Sequence, residues 1–375
     1  MSNMKTKRPV IILMAAMLAV SCGRQDDPTA DAGQPSNDAD AISFSALVAK
    51  DEADTRADAE VSLAELKDGG GTGFGVFASY TGIYRYGDTS VTSDFMHNQQ
   101  VQWAGTAWNY SPVKYWPGDE GEYGENTQYI SFFAYAPYSD AVGSDPATNP
   151  VGYCISGFSE SRDKGDPWLT YRLIDQANIG RQVDLLYAKR LDMTRPAVEV
   201  PVAFTFEHAL ACVGDEVTID VGNDLKTELR AFVTGGTSRV ELVLTDVDIT
   251  YTLAEKGRLV LWNRDGKANW KPVMSENLVT ERTPAITTSL PMTIYSYDGS
   301  AESSPAWTDS GHGVFYIPIN PSIIAQKATV SVSYRVVLNG SVVFSTHEAS
   351  TDIALDSYAE AGGKVALKVS LIKLN

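Results

Sequence analysis

The chain is short of the residues on which most protein chemistry depends. Its 375 residues include three cysteines and four histidines. The cysteines are too few for a disulfide scaffold, and no two stand at the Cys-x-x-Cys spacing of zinc or thiol-exchange sites. His97, His208, His312 and His347 are scattered, with no His-Glu-x-x-His cluster among them, so no metal site is expected. There is no Gly-x-Ser-x-Gly elbow, and neither Cys154 nor Cys212 has the setting of a nucleophile. An enzyme is therefore not expected, nor a catalytic residue or a cofactor; whether Cys154 and Cys212 pair is left open. Basic residues are also in deficit. Lys and Arg number 30 against 47 Asp and Glu, a formal charge of −17 that repels phosphate backbones and speaks against nucleic acid as a partner. No apolar run approaches the roughly 20 residues of a membrane-spanning helix.

What is present is β-like. Hydrophobic residues make up 43% and aromatics 10%, while 30 Gly and 17 Pro punctuate the chain too often for long helices. The length suggests two domains once any export segment is removed. Lys5, Lys7 and Arg8 precede the apolar run Val10 to Val20, and Ser21 stands before Cys22, so residues 1–21 read as an export signal. Leu18-Ala19-Val20-Ser21-Cys22 looks like a lipoprotein box in which Cys22 is lipidated, with Leu18 one place further from the cysteine than is usual. Ala19-Val20-Ser21 also reads as an ordinary cleavage site of a secreted protein. Gly23-Arg24-Gln25-Asp26-Asp27 is similar to the acidic signals that send lipoproteins to the outer face. Residues 22–41 hold no large apolar side chain and form a flexible tether.

Ile42 to Val48 alternates as a first strand. Gly69-Gly70-Gly71-Thr72-Gly73-Phe74-Gly75 has neither the following Lys nor the βαβ setting of a phosphate loop and reads as a turn into a strand at Gly75 to Tyr80. The densest aromatic stretch runs from Val101 to Tyr138. Pro112 and Pro117 belong at strand ends, and Tyr129 to Tyr138 is a β-branched and aromatic run stopped by Pro137, as in a buried strand. Strands follow at Val183 to Ala188, Val200 to Phe206 and Ala211 to Val221. After a pause at Gly222-Asn223-Asp224 a second set occupies Arg239 to Leu244, Val247 to Leu253, Leu259 to Trp262, Met292 to Tyr297, Gly313 to Pro318, Thr329 to Leu338 and Val342 to Phe344. The reading is all-β: two consecutive β-sandwich domains, 42–224 and 225–375, with few helices.

The strings WNYSPVKYWP and ISFFAYAPY, then VDLLYAKR (Val183 to Arg190) and FTFEHALACV (Phe204 to Val213), resemble the fimbrillin-like proteins of Bacteroidetes-type anaerobes, the subunits of type V pili. The resemblance implies transthyretin-like sandwiches. It also implies a structural or adhesive subunit, exported as a lipoprotein and found at the cell surface, in the outer membrane through lipid on Cys22 or in a fimbrium. Implied partners are other subunits, in a homo- or hetero-polymer, and a ligand on a host or bacterial surface. In such precursors the first strand is removed after an arginine, for which Arg56 in Thr55-Arg56-Ala57 is the matching candidate; otherwise Arg56 is a solvated loop residue.

The last strand has two readings as well. In Lys364 to Asn375, Val365, Leu367, Val369 and Leu371 share one face, and Ile372 and Leu374 continue the alternation on the other, which suggests a bulge or a change of partner near Leu371. Under the resemblance this is a polymerising strand that fills a neighbour's groove. Read alone, it completes its own sheet. Two further features carry competing readings. The loop Asp119 to Asn126, with Glu122 and Glu125, is a solvated acidic loop, a Ca²⁺ site or a glycosidase pair. Trp103, Trp108, Tyr110, Tyr115, Trp116 and Tyr123 are core residues, Trp103 and Tyr115 above all, or a sugar-stacking face. The latter would suit the alternative function, a surface lipoprotein that binds glycans in a polysaccharide uptake system.

Overall fold

Each buried face of a strand must be covered, and the sequence meets this demand with two separate hydrophobic cores. The computed structural model describes residues 40–49, 63–67, 72–118, 128–143, 145–262, 268–271, 273, 278–282, 286, 289–310, 315–318, 326–355 and 361–374; at 176, 179, 282 and 345–348 only the backbone is described. In chain order the first half gives β1 (Phe44–Val48), α1 (Leu63–Lys67), β2 (Phe74–Gly82), β3 (Met96–Trp103), β4 (Trp108–Asn109), β5 (Tyr129–Ala136), α2 (Pro150–Cys154), β6 (Ile155–Phe158), β7 (Trp168–Arg172), β8 (Leu186–Met193) and β9 (Val202–His208). Seven of these strands close a barrel in the order β1-β4-β3-β2-β5-β8-β9, so that in this part of the chain the strands form one continuous closed path, not two separate facing sheets.

The remaining elements are β10 (Leu210–Val221), α3 (Asn223–Arg230), β11 (Val240–Ala254), β12 (Lys256–Val260), β13 (Asn269–Lys271), β14 (Leu278–Arg282), β15 (Met292–Tyr297), β16 (Glu302–Ser303), β17 (Trp307–Ser310), β18 (Phe315–Pro318), β19 (Lys327–Leu338), β20 (Ser341–Ala354) and β21 (Lys364–Leu371). One sheet centres on β10, flanked by β17, β18 and β21; a second runs β16-β15-β11-β19-β20, with β14 also on β11. A third, β13-β12-β7-β6, takes strands from both sides of Gly222. The fold is mostly β, and its helices are short.

The barrel core gathers Phe74, Val76 and Ala78 of β2, Ile130, Phe132, Ala134 and Ala136 of β5, and Val202, Phe204 and Phe206 of β9. The opposite faces of β2 and β5 present Phe77, Phe133 and Tyr135, and β8 presents Tyr187, to a larger core shared with the other sheets. This explains why Tyr129 to Ala136 reads as an unbroken apolar run: alternate residues serve different cores, and both faces are covered. Two glycines make the packing of β2 possible. Gly73 has φ +71°, and a Cβ there would stand 2.0 Å from the Val101 carbonyl oxygen; one at Gly75 would stand 2.2 Å from the Tyr135 ring.

Several strand limits differ from those expected. Arg239 to Leu244 and Val247 to Leu253 are one strand, β11, whose pairing with β19 shifts register between Leu244 and Asp246, a bulge that bends the ladder without ending it. The expected strand Val342 to Phe344 is the start of the fourteen-residue β20, joined to β19 by Asn339 and Gly340 at φ 51° and 80°, the signs of a type I′ hairpin turn. The strand expected from Val183 begins only at Leu186, and β6, β7 and β17 were not foreseen.

Candidate functional site: the seats of the first and last strands

β1 occupies an interior place in the barrel. It pairs in parallel with β9 from Phe44↔Val202 to Val48↔Phe206, and on its other side Phe44 faces Trp108 of β4. Ile42 N donates to Lys114 O (2.9 Å), Trp116 N to Asp40 O (2.9 Å), Val202 N to Ser43 O (2.8 Å) and Ala49 N to Phe206 O (2.8 Å). Tyr110 clamps the entry: its hydroxyl donates to Ile42 O at 2.8 Å, and Lys114 N donates to the same hydroxyl at 3.2 Å. Burial, ahead of the opposing pull of the Lys114 backbone contact, raises the Tyr110 pKa and keeps the phenol in this donating form. Arg195 pairs with Asp40 just before the strand.

Side chains of β1 alternate between the barrel interior and solvent. Ile42, Phe44 and Ala46 are buried, whereas Leu47 is 61% exposed. Phe44 is the centre of the seat. Its ring stacks on Phe204 (5.7 Å, 15°), meets Phe74 and Phe132 edge-on (6.3 and 5.9 Å) and lies 5.3 Å from Tyr110. The arrangement holds one strand by main-chain bonds and an aromatic anchor.

β21 lies along the same stretch of chain. β9 and β10 are separated by Ala209 alone, and β21 runs parallel to β10 from Cys212↔Lys364 to Val221↔Leu371, so β1 and β21 are laid end to end beside residues 202–221. Gly362 N donates to Leu210 O (2.8 Å), Cys212 N to Gly363 O (2.9 Å) and Gly222 N to Leu371 O (2.8 Å). Val365, Leu367, Val369 and Leu371 face the larger core, as the alternation requires. The bulge expected near Leu371 is not where the pairing slips: Leu371 stays in register opposite Val221, and the shift falls at the other end of β21, between Val213 and Val217 opposite Val365 and Leu367. β21 itself ends at Leu371, leaving Ile372 58% exposed and Leu374 packed on the core, its N donating to Glu228 Oε2 at 3.0 Å.

The sequence-derived candidates fall out as follows. Cys22, Arg56, Tyr123, Glu122, Glu125 and His312 lie outside the described residues. Trp108 and Trp116 are buried in the barrel core and Trp103 and Tyr110 are half-buried against it. Tyr115, expected in the core, is 40% exposed, because it is Tyr115 that bridges to Ala41 while its neighbour Trp116 turns inward. His97 lies 2.7 Å from Ser159 O, and His208 lies 2.7 Å from the Asp184 carboxylate. Cys154 and Cys212 are buried thiols not joined to each other, and burial pushes the Cys154 thiol up to about 12. Among the described residues no three His, Cys, Asp or Glu form a group fit for a metal ion. Sequence reasoning missed the part of Tyr110 as a clamp and of Phe204 as the stacking partner of Phe44; only the strand alternation of FTFEHALACV hinted at the latter.

A model of the family described as fimbrillin-like matches residues 55–255. The sequence is similar to that of fimbrium subunit Fim1C of Phocaeicola vulgatus, with 30% identity over 184 residues; the match covers 47% of this chain and 44% of that relative, less than half its length. The fold is similar to that of a fimbrial protein from Bacteroides vulgatus known from a crystal structure, with a TM-score of 0.55 at 17% identity, covering 88% of this chain and 95% of the other.

Proposed function

Since this chain belongs to the fimbrillin-like family, we propose that it is a structural or adhesive subunit of a surface fimbrium, exported as a lipoprotein on Cys22 and joined to its neighbours by strand exchange. One observation carries this reading: β1 is an interior strand of a closed barrel, and residues 50–62 connect it to α1, with Arg56 among them. A single cut after Arg56 would leave β1 held by pairing and packing alone, and its departure would open a groove between β4 and β9. A strand from a neighbour can satisfy that groove by main-chain bonds and alternate side chains. In the same reading, β21 is the strand this subunit offers, through Val365, Leu367, Val369, Leu371, Ile372 and Leu374. The unprocessed form keeps its lipid and acts as an anchor, whereas the processed form enters the polymer. The glycan-binding alternative has less support, since Trp108 and Trp116 lie inside the barrel.

The test is Arg56→Ala in the native host. The expected result is a chain that keeps residues N-terminal to Ala57 by terminal sequencing, stays membrane-associated and is absent from sheared fimbriae. Fimbriae that carry the uncut variant at the parental level would overturn the processing step.

A further inference from the structure

Removal of β1 would leave a groove with a definite side-chain demand. Position 42 takes a large aliphatic group, position 44 a ring that meets four others, and position 46 a methyl group, all three buried in the barrel core. The barrel makes this demand twice. β1 continues the string Ile42-Ser43-Phe44-Ser45-Ala46, and β5 carries Ile130-Ser131-Phe132-Phe133-Ala134; in both, the Ile, Phe and Ala enter the same core, where Phe44 and Phe132 lie 5.9 Å apart edge-on. β1 and β5 thus meet this interior with the same Ile-x-Phe-x-Ala pattern, whereas β9, beside β1, meets it with Val-x-Phe-x-Phe.

The chain's own last strand does not carry it. Lys364 to Asn375 contains no aromatic residue, so no register offers a ring to Phe74, Tyr110, Phe132 and Phe204. Aligning its apolar face with the seat puts Val365, Leu367 and Val369 at the places of Ile42, Phe44 and Ala46. A leucine at the second place leaves part of the Phe44 volume unfilled, and a valine at the third adds two carbons at a position that is buried and holds a methyl group, Ala46. β5 has the pattern, but it is covered on both faces inside its own fold.

We infer that the seat of β1 selects a strand from a different polypeptide, one bearing a large aliphatic, an aromatic and a small residue at alternate positions, and rejects the last strand of a second copy of this chain. This rests on the strand-exchange reading and deepens it: the chain joins a polymer of unlike subunits at this seat.

The experiment uses the full chain with a recognition site for a sequence-specific protease introduced between residues 50 and 62. After cutting, the protein is incubated with excess fluorescent peptide, and incorporated label is measured by gel filtration. The peptides are residues 40–49, the same peptide with Phe44→Leu or Ala46→Val, residues 364–375, and a scrambled control. The 40–49 peptide is expected to exchange into the seat, the two substituted peptides to bind at least tenfold more weakly, and the 364–375 peptide to match the scrambled control. Entry of 364–375 within threefold of 40–49, or equal entry of the substituted peptides, overturns the selectivity and leaves strand exchange standing. A cut protein that admits no peptide, 40–49 included, removes strand exchange and the selectivity with it.

Discussion

Replacing Phe44 by alanine is the most direct probe of the barrel. The ring is 5% exposed and has four aromatic neighbours within 6.3 Å. Truncating a buried Phe to Ala in a core costs about 3–5 kcal/mol, made of the lost transfer free energy and the cavity left behind. Here the upper part of that range is expected. Phe74, Phe132 and Phe204 sit on strands paired within a closed barrel, and β2 and β5 are held from behind by the second core, so the walls cannot collapse into the space. Roughly 4 kcal/mol is about a thousandfold in the folding equilibrium. The control is Leu47→Ser, three residues along and on the solvent face, for which a change within about 0.5 kcal/mol is expected. Urea unfolding of the full chain, followed by tryptophan fluorescence, measures both, since Trp108 and Trp116 belong to the same core. A Phe44→Ala protein within 1 kcal/mol of the parent, or a Leu47→Ser protein as damaged as Phe44→Ala, would refute the placement of β1.

Three further outcomes are expected. Leu367→Asp puts a carboxylate at a fully buried position of β21 and should destabilise the isolated chain by more than about 4 kcal/mol, while Lys368→Asp on the exposed face stays near the parent; thermal melting decides between them. In a Cys22→Ser chain, Cys154 should resist a disulfide exchange reagent at pH 8 until the protein unfolds, because the thiol is buried and its pKa lies near 12. The unfolded thiol loses its proton near 9 and the folded one near 12, so the unfolded state binds fewer protons between these values and the contribution of Cys154 to stability falls as pH rises through that window. Finally, Cys22→Ser should move the protein made in the native host from the detergent to the aqueous phase, as read by phase partition; a parent chain already aqueous would count against lipidation.

Legibility in the sequence followed how local the cause was. β5 was found with its end at the right place because Pro137 stops a β-branched and aromatic run, a signal carried by adjacent residues. β20 reads as three residues because Val342, Val343 and Phe344 are its one apolar run; beyond them Ala349, Ile353 and Ala354 stand among polar residues, and the strand pairs with β19 at an edge, which needs no apolar run. β11 was read as two strands because Thr245 and Asp246 interrupt the pattern, yet the ladder absorbs them with a bulge. The seat of β1 was beyond reach. Its parallel pairing joins residues more than 150 positions apart, and a parallel partner leaves no turn in the sequence to announce it.

The end-to-end placement of β1 and β21 beside residues 202–221 also determines how the molecule bears tension. Both strands run in the same sense as the ridge beside them, with Asp40 at one end of it and Leu374 just past the other. A load entering at Asp40 and leaving at Leu374 therefore draws β1 and β21 lengthwise, in opposite directions, against one shared piece of backbone. Five pairings resist along β1 and seven along β21, and under such shear each set is strained together; a pull across the strands would instead open them one pairing at a time.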